Sequence, residues 1–327
     1  MKEMIQVRNL NKTFVSVKRG EGFSAALKSF IFPTKETKHA LSDVSFSIHA
    51  GEICGFLGPN GAGKSTCIKI LSGIMYPTSG TVSIMGYVPW VNRKAYVRNI
   101  GVVFGQKSQL WWDLPPIDSM HLNKAIYDIP DKVFFRNLNS MVKMLGVEDV
   151  VKRQTRTLSL GERMKCDFII AMLHDPKVVF LDEPTIGLDV FAKESIREFV
   201  SSWNRRKGTT FILTTHDLDD IERLASRIIV IDQGKMIFDD KLAALRTEMG
   251  AHKYVTVSCK NPIGPVSHGA KVLRRLSSSE KQFRLDTGKR SIGEFIKEVS
   301  RGNQLVDLTV EEPPIEEIIK ELYGKGK

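Results

Sequence analysis

Residues 58–66, GPNGAGKST, restrict the fold of this chain more than any other segment. They fit the pattern G-x-x-x-x-G-K-[ST], follow the apolar run EICGFLG and precede TCIKILSG, which has the pattern of a helix. A glycine-rich loop between a strand and a helix lets backbone N–H groups converge on phosphate oxygens, and the helix N-terminus adds positive potential. The segment predicts an α/β fold with a nucleotide phosphate site at the end of one strand.

The residue types in this loop have defined chemical uses. Lys64 supplies a positive charge for the β- and γ-phosphates of ATP, and Ser65 supplies a hydroxyl for Mg²⁺. The expected ATP-contacting residues of the loop are Gly58, Pro59, Asn60, Gly61, Ala62, Gly63, Lys64, Ser65 and Thr66.

A second segment, KVVFLDEP at 177–184, delivers two acids at the end of an apolar run. We expect Asp182 to hold Mg²⁺ and Glu183 to act as the general base toward the attacking water. Two acids after a strand are also explained by a helix N-cap, but their pairing with the phosphate loop favours a site. His216 follows another apolar run, TTFILTT, and the sheet order predicts that it lies near the γ-phosphate.

The rest of the chain suggests two domains. Residues 1–240 alternate strand and helix patterns, with a helical region at about 107–175, and residues 241–327 read as a small α+β domain. A basic insertion at 15–39 has five Lys or Arg against two Glu. It could form an amphipathic helix on a membrane or partner, or be a solvated insertion.

Composition limits the class of protein. With 42% hydrophobic and 26% charged residues, no apolar run of about 18 residues and no signal-peptide pattern, we expect a globular protein that stays in the cytoplasm. Four scattered cysteines are expected to be buried free thiols. The net charge of +11 indicates an anionic neighbour, which could be nucleotide, nucleic acid or a membrane surface.

The ordered motifs resemble those of the nucleotide-binding subunit of an ATP-binding cassette (ABC) transporter. These are the phosphate loop, Gln106 after IGVVFG, LSLGE at 158–162, VVFLDEPTIGLD at 178–189, and His216. The resemblance covers residues 1–240 and implies a mixed sheet core with a helical subdomain. It also implies a head-to-tail dimer with a second copy or a homologous cassette.

The resemblance also assigns roles to further residues. Gln106 would lie near Mg²⁺ and the attacking water, His216 would sense the γ-phosphate, and Asp189 would communicate across the dimer. Phe14 matches the aromatic residue that stacks on adenine, although the family more often has Tyr, and a core Phe is the alternative. Ser159 and Gly161 would contact the ATP bound to the partner cassette.

The LSLGE segment departs from the family pattern Leu-Ser-Gly-Gly-Gln at Leu160 and Glu162. If Leu160 points away from the phosphate, which we favour, the segment keeps its function; if it points inward, the second ATP is held poorly. Ser159 with Glu162 three residues later also fits a capping box, so an ordinary helix start explains part of the motif.

The overall arrangement is similar to the ATPase subunits of bacterial drug, viologen and sodium exporters with a separate permease. It implies ATP hydrolysis coupled to export, an integral-membrane permease as partner, and a location on the cytoplasmic face of the membrane. Trp111 and Trp112 could anchor that partner or pack within the helical subdomain.

The alternative function is that of a cassette ATPase acting on ribosomes or nucleic acid, although we expect no stable nucleic-acid partner. A regulator without turnover would need Glu183 or His216 to be absent.

Overall fold

The computed structural model describes residues 3–18, 34–105, 107–249, 252–266, 269–301, 303–313 and 315–325. The chain divides into two compact units, Met1–Asp240 and Lys241–Lys327. The strands are β1 (Glu3–Lys18), β2 (Thr34–His49), β3 (Ile53–Leu57), β4 (Ser79–Ile84), β5 (Ile100–Phe104), β6 (Val178–Asp182), β7 (Thr210–Thr214), β8 (Arg227–Asp232), β9 (Lys235–Lys241), β10 (His252–Cys259), β11 (Ala270–Arg275), β12 (Glu280–Asp286) and β13 (Leu305–Glu311). The helices are α1 (Lys64–Leu71), α2 (Arg93–Val97), α3 (Pro116–Ile126), α4 (Asp131–Leu145), α5 (Leu160–Met172), α6 (Val190–Lys207), α7 (Leu218–Leu224), α8 (Leu242–Met249), α9 (Ile292–Val299) and α10 (Ile315–Lys325).

A six-stranded sheet organises the first unit, with the strand order β5-β6-β7-β3-β8-β9. The pairs from β5 through β8 are all parallel. Strands β3 and β7 are buried along their whole length, which explains their continuous apolar runs: a parallel strand covered on both faces has no polar side. The expected α/β class is confirmed.

A second sheet of the first unit, ordered β2-β1-β4, is antiparallel. Strand β1 continues into the basic insertion as far as Lys18, because its last residues pair with the start of β2, with Lys18 opposite Thr34. The described ends of the basic insertion are therefore strand rather than helix. Its middle, residues 19–33, lies outside the described residues, so both the amphipathic helix and the solvated insertion remain predictions there.

The helical pattern at 107–175 appears as α3, α4 and α5 with two 3₁₀ turns, Val150–Lys152 and Thr155–Thr157. Side chains at the N-caps fix where three helices begin. Ser159 caps α5, Asp189 caps α6 and Asp217 caps α7, each accepting a backbone N–H. Among the helices described, none combines the length and apolarity needed to cross a bilayer.

The second unit has a four-stranded antiparallel sheet ordered β11-β12-β10-β13. Its core contains Val255, Phe283 and Phe295, with the Phe295 ring of α9 packed edge-on against Phe283. The described residues of this unit also form the helices α8, α9 and α10. All four cysteines of the chain are buried and free, as expected.

Candidate nucleotide site

The glycines of the phosphate loop are required by the surrounding backbone. Gly63, immediately before α1, has φ 112°, and a Cβ there would lie 2.4 Å from the Ala40 carbonyl oxygen. A Cβ on Gly58 would lie 2.3 Å from the carbonyl oxygen of Ile231, in β8. The loop is therefore pressed against β2 and β8 on its inner side, while Gly61, with φ 81°, has open space around it.

Lys64, the first residue of α1, lies over the loop. Its side chain is buried, and Nζ donates to the carbonyl oxygens of Gly58 at 2.6 Å and Pro59 at 3.2 Å. Burial lowers the pKa of Lys64, while the nearby Glu183 and Asp182 carboxylates act in the opposite direction. A partly desolvated ammonium group is thus held against the loop, where it can meet phosphate oxygens.

Ser65 and Asp182 bring oxygen ligands together. Ser65 Oγ donates to Asp182 Oδ1 at 2.9 Å, and Thr214 Oγ1 donates to the same oxygen at 2.6 Å. Hydroxyl and carboxylate oxygens suit Mg²⁺, which keeps several waters and binds through one or two protein groups plus nucleotide phosphates. No cluster of three or more His, Cys, Asp or Glu that could hold a metal occurs among the described residues.

Glu183 and His216 form a direct pair. His216 Nδ1 lies 2.6 Å from Glu183 Oε2, and the imidazole is more than half exposed whereas the carboxylate is mostly buried. Glu183 has φ 55°, a left-handed conformation that costs of order 1–3 kcal/mol and persists when surrounding contacts enforce it. Its N–H donates to both the carbonyl oxygen and Oγ1 of Thr214. The neighbouring strand β7 thus holds the strained backbone.

Lys64, Ser65, Glu183 and His216 all line one cavity of about 670 Å³. Its lining comprises Phe14, Lys38, Ala40, Asn60, Gly61, Ala62, Gly63, Lys64, Ser65, Thr66, Glu183, Ile186 and His216. The Phe14 side chain is 39% exposed, with Lys12 Nζ 5.1 Å from its ring centre, so the core alternative for Phe14 is wrong. Two residues at the site were not predicted from the sequence: Lys38, which lies opposite Phe14 in the β1–β2 pair, and Thr214. Lys38 could have been identified only from the pairing of the two strands that flank the insertion.

Gln106 lies outside the described residues, but its neighbour Gly105 shows how tightly this segment approaches the site. The Gly105 N–H donates to the Asp182 carbonyl oxygen at 2.8 Å. A Cβ on Gly105 would lie 1.9 Å from the Glu183 carbonyl oxygen. Glycine before Gln106 is therefore needed for the end of β5 to reach the residue that pairs with His216.

The Ser159 hydroxyl is committed to the helix start. Ser159 Oγ accepts the Glu162 N–H at 3.2 Å, and Glu162 Oε2 accepts the Ser159 N–H at 2.7 Å, which completes the capping box expected from the sequence. Arg153 Nη1 lies 3.1 Å from Glu162 Oε1. The Ser159 N–H, with help from Arg153, holds the pKa of Glu162 below its ordinary value, so the negative charge of Glu162 is locally compensated.

The side chain of Leu160 lies against its own chain. A Cβ on Gly187 would be 3.2 Å from Leu160 Cδ2, and Leu160 remains 39% exposed. Gly161 is buried where α5 meets α6, and a Cβ there would be 2.9 Å from Ala192 Cβ. Asp189 caps α6 through the Ala192 N–H at 2.8 Å. Within one chain, Ser159, Gly161 and Asp189 do not line the 670 Å³ cavity.

Trp111 and Trp112 lie at the surface with more than half of each side chain exposed. The Arg163 guanidinium lies 4.9 Å from the centre of the Trp112 ring, and the Trp111 N–H donates to Ser119 Oγ. The pair is therefore fixed by contacts within the helical region yet mostly open to solvent.

Comparison with known proteins relates this site to one family. A family model described as ABC transporter matches residues 41–186. The chain is 35% identical over 240 residues to ABC transporter A family member 8 of Dictyostelium discoideum, a match that covers 73% of this chain and 28% of that protein. It is 28% identical over 300 residues to linearmycin resistance ATP-binding protein LnrL of Bacillus subtilis, covering 88% of this chain and 94% of LnrL. The chain spans about a quarter of the length of the Dictyostelium relatives.

Among solved structures, the chain is similar to the dimeric post-hydrolysis state of the ATP-binding cassette MJ0796 bound to ADP and phosphate. The TM-score is 0.61 with 25% identity, and the match covers 73% of this chain and 99% of that one. The similarity extends over a length close to that of the first compact unit.

Proposed function

The chain belongs to the ABC transporter family as an ATP-binding ATPase cassette, and from this premise we propose that its ATP hydrolysis powers export through a separate integral-membrane permease. The observation that supports the proposal most is the convergence of Lys64, the Ser65–Asp182 pair and the Glu183–His216 pair around one cavity. The proposed location is the cytoplasmic face of the membrane.

In the proposed reaction the Lys64 ammonium and the loop N–H groups orient the ATP phosphates. Glu183 accepts a proton from the water that attacks the γ-phosphate, and His216 holds the Glu183 carboxylate in place from 2.6 Å. Ser65 and Asp182 would hold Mg²⁺, which supplies positive charge that stabilises the charged phosphates. Phe14, at the edge of the cavity, stacks on the adenine ring.

We also propose that two cassettes pair head to tail, with Ser159, Gly161 and Asp189 of one chain facing the ATP of the other. None of the three lines the cavity of its own chain, and Ser159 and Asp189 are exposed at the surface. The dimeric MJ0796 structure supports this arrangement by analogy.

Export is supported by the similarity to LnrL, whose name associates it with linearmycin resistance and whose match extends into the second unit. Exposed Trp111 and Trp112 provide rigid aromatic area suited to a permease contact.

The catalytic proposal is tested with purified Glu183→Gln protein. We expect Glu183→Gln to bind ATP but to lose turnover at least about 100-fold, because the general base is removed. Lys64→Ala should lose ATP binding itself. Glu148→Gln, which removes an exposed glutamate elsewhere, is the matched control and should keep wild-type turnover. An active Glu183→Gln protein would contradict the assigned base.

The dimer is tested by light-scattering mass of Glu183→Gln protein with MgATP. The mass should rise from 36.8 kDa to twice that value, and Ser159→Arg should abolish the shift. A monomer that still binds ATP would contradict self-pairing by the chain alone.

The permease contact is tested with a photo-crosslinking residue at position 112 in cells. We expect a crosslink to a membrane-spanning protein. Crosslinks to ribosomal protein or RNA instead would overturn the export proposal in favour of the rival function.

A further inference from the structure

Two buried threonines connect the segments that carry Glu183 and His216. Thr185 lies two residues after Glu183, and Thr215 lies immediately before His216. Both hydroxyls donate to the same oxygen, Oδ2 of Asp220, with the Thr215 hydrogen bond at 3.3 Å. The three side chains are at most 3% exposed. One buried carboxylate oxygen therefore joins both segments of the proposed catalytic pair.

The other oxygen of Asp220 is held by Arg197. Arg197 Nε, on α6, donates to Asp220 Oδ1 at 2.6 Å, and the Arg197 side chain is only 8% exposed. Arg197 Nη2 also lies 3.7 Å from Asp217 Oδ2, which is paired with Lys193 at 2.5 Å. A buried carboxylate without such a partner is costly, so Arg197 provides the compensating charge that lets Asp220 serve as an acceptor on its other oxygen.

We propose that Asp220, supported by Arg197, is a positioning residue that holds the side chains of Glu183 and His216 in the relative positions needed for hydrolysis. This inference rests on the proposed function, in which Glu183 is the general base and His216 holds its carboxylate. Glu183 has a left-handed backbone, and the contacts described above hold it from the β7 side. The Asp220 network holds the same segment two residues later, and thereby fixes the direction in which the carboxylate meets the imidazole.

The proposal predicts a specific kinetic pattern. Thr185, Thr215 and Asp220 do not line the cavity, so their loss should leave the KM for ATP within about twofold. Displacing the base by a fraction of an ångström to 1 Å should lower kcat about 10- to 100-fold. A purely structural role would instead lower stability while leaving kcat per folded molecule unchanged.

Thr185→Val is the sharpest variant because it keeps the shape of the side chain and removes one donor to Asp220. Thr215→Val is less clean because the Thr215 hydroxyl also accepts the Asp217 N–H at 2.9 Å. Thr209→Val is the matched control: Thr209 is equally buried, its hydroxyl bonds the Pro176 carbonyl oxygen, and it lies just before the opposite end of β7. If both threonines act through Asp220, the double variant should lose less than the product of the two single losses.

Turnover and KM are measured for the wild type, the two single variants, the double variant and the control. The expected result is a lower kcat in Thr185→Val and Thr215→Val, with Thr209→Val near wild type at comparable melting temperature. Equal kcat in Thr185→Val and Thr209→Val, each corrected for the folded fraction, would overturn the proposal.

A second readout separates this proposal from the proposed function. The ring signals of His216 in a ¹H–¹³C NMR spectrum, assigned with His216→Gln, report the contact with Glu183 without any turnover. We expect them to shift in Thr185→Val and to stay in place in Thr209→Val. A wild type that lacks ATPase activity would sink the proposed function, while unshifted His216 signals in Thr185→Val would sink the positioning role.

Discussion

Gly105→Ala tests whether the close approach of β5 to Glu183 sets the rate of hydrolysis. The added Cβ would lie 1.9 Å from the carbonyl oxygen of Glu183, 2.8 Å from the carbonyl carbon of Glu183 and 3.1 Å from Ile186 Cγ2. Cβ atoms essentially never approach another heavy atom closer than 3.0 Å, and the first two atoms belong to backbone that cannot rotate away. The end of β5 and residue 183 must therefore separate by about 1 Å.

A displacement of that size predicts two separate losses. Misplacing a catalytic group by about 1 Å costs on the order of 100-fold in rate, so kcat should fall by about that factor. Overpacking costs about 1–3 kcal/mol, so the melting temperature should also fall. The KM for ATP should change little, because Lys64 bonds the carbonyl oxygens of the loop itself, and the loop glycines Gly63 and Gly58 face β2 and β8 rather than β5.

Steady-state ATPase kinetics and thermal unfolding, measured on the same preparations, check these expectations. Gly101→Ala is the matched control, because Gly101 lies in β5, the strand that ends just before Gly105, and its added Cβ would approach the Ala171 carbonyl oxygen at 2.5 Å, away from the cavity. Gly101→Ala should lose stability and keep kcat per folded molecule. If Gly105→Ala also keeps kcat to within about threefold while losing stability, the link between this contact and catalysis is refuted.

Two further predictions concern pH and nucleotide affinity. Burial raises the pKa of Asp167 to about 6, against about 3.9 in the unfolded chain, although the Gln109 N–H and the Ser108 hydroxyl oppose the rise. The contribution of Asp167 to the free energy of unfolding is thus fully present below about pH 4, where its carboxyl is protonated in both states, and is lost as pH rises through 6. Asp167→Asn should therefore raise the free energy of unfolding by up to about 3 kcal/mol at pH 8 and leave it unchanged at pH 4, as measured by denaturant titration. An equal gain at both pH values would contradict this ionisation. Phe14→Ala should weaken ATP binding about tenfold by calorimetry while Phe14→Tyr keeps the affinity, since stacking on a base is worth about 1–3 kcal/mol; unchanged affinity in Phe14→Ala would exclude stacking.

The parts of the site that the sequence predicts are those encoded by local pattern. The loop around Lys64, the acids Asp182 and Glu183 at the end of an apolar run, and the capping box at Ser159 each depend on neighbours within a few residues. Their spacing alone implies the local geometry, and the structure places the Lys64 loop and Glu183 around one cavity, with Asp182 bonded to Ser65 of that loop.

The parts that the sequence could not predict depend on contacts between distant segments. Nothing near Asp220 indicates that its carboxylate meets Thr185, 35 residues earlier, or Arg197 on another helix. The Leu160 side chain lies beside Gly187, 27 residues later, and the need for glycine at position 105 comes from the backbone of residue 183. Such requirements arise from packing between elements, which a pattern along the chain does not encode.

The position of β3 in the sheet determines when the site can exist during synthesis. This strand carries the phosphate loop, yet its two neighbours are β7 and β8, which leave the ribosome more than 150 residues later. Until residue 232 has emerged, β3 lacks at least one of its hydrogen-bonded neighbours, and the chain exposes an apolar strand with unpaired edges. Nascent chains that stop before Thr210 should therefore be unable to bind ATP and should depend on holdase chaperones. ATP binding by this cassette thus becomes possible only after β7 and β8 have paired with β3, late in synthesis.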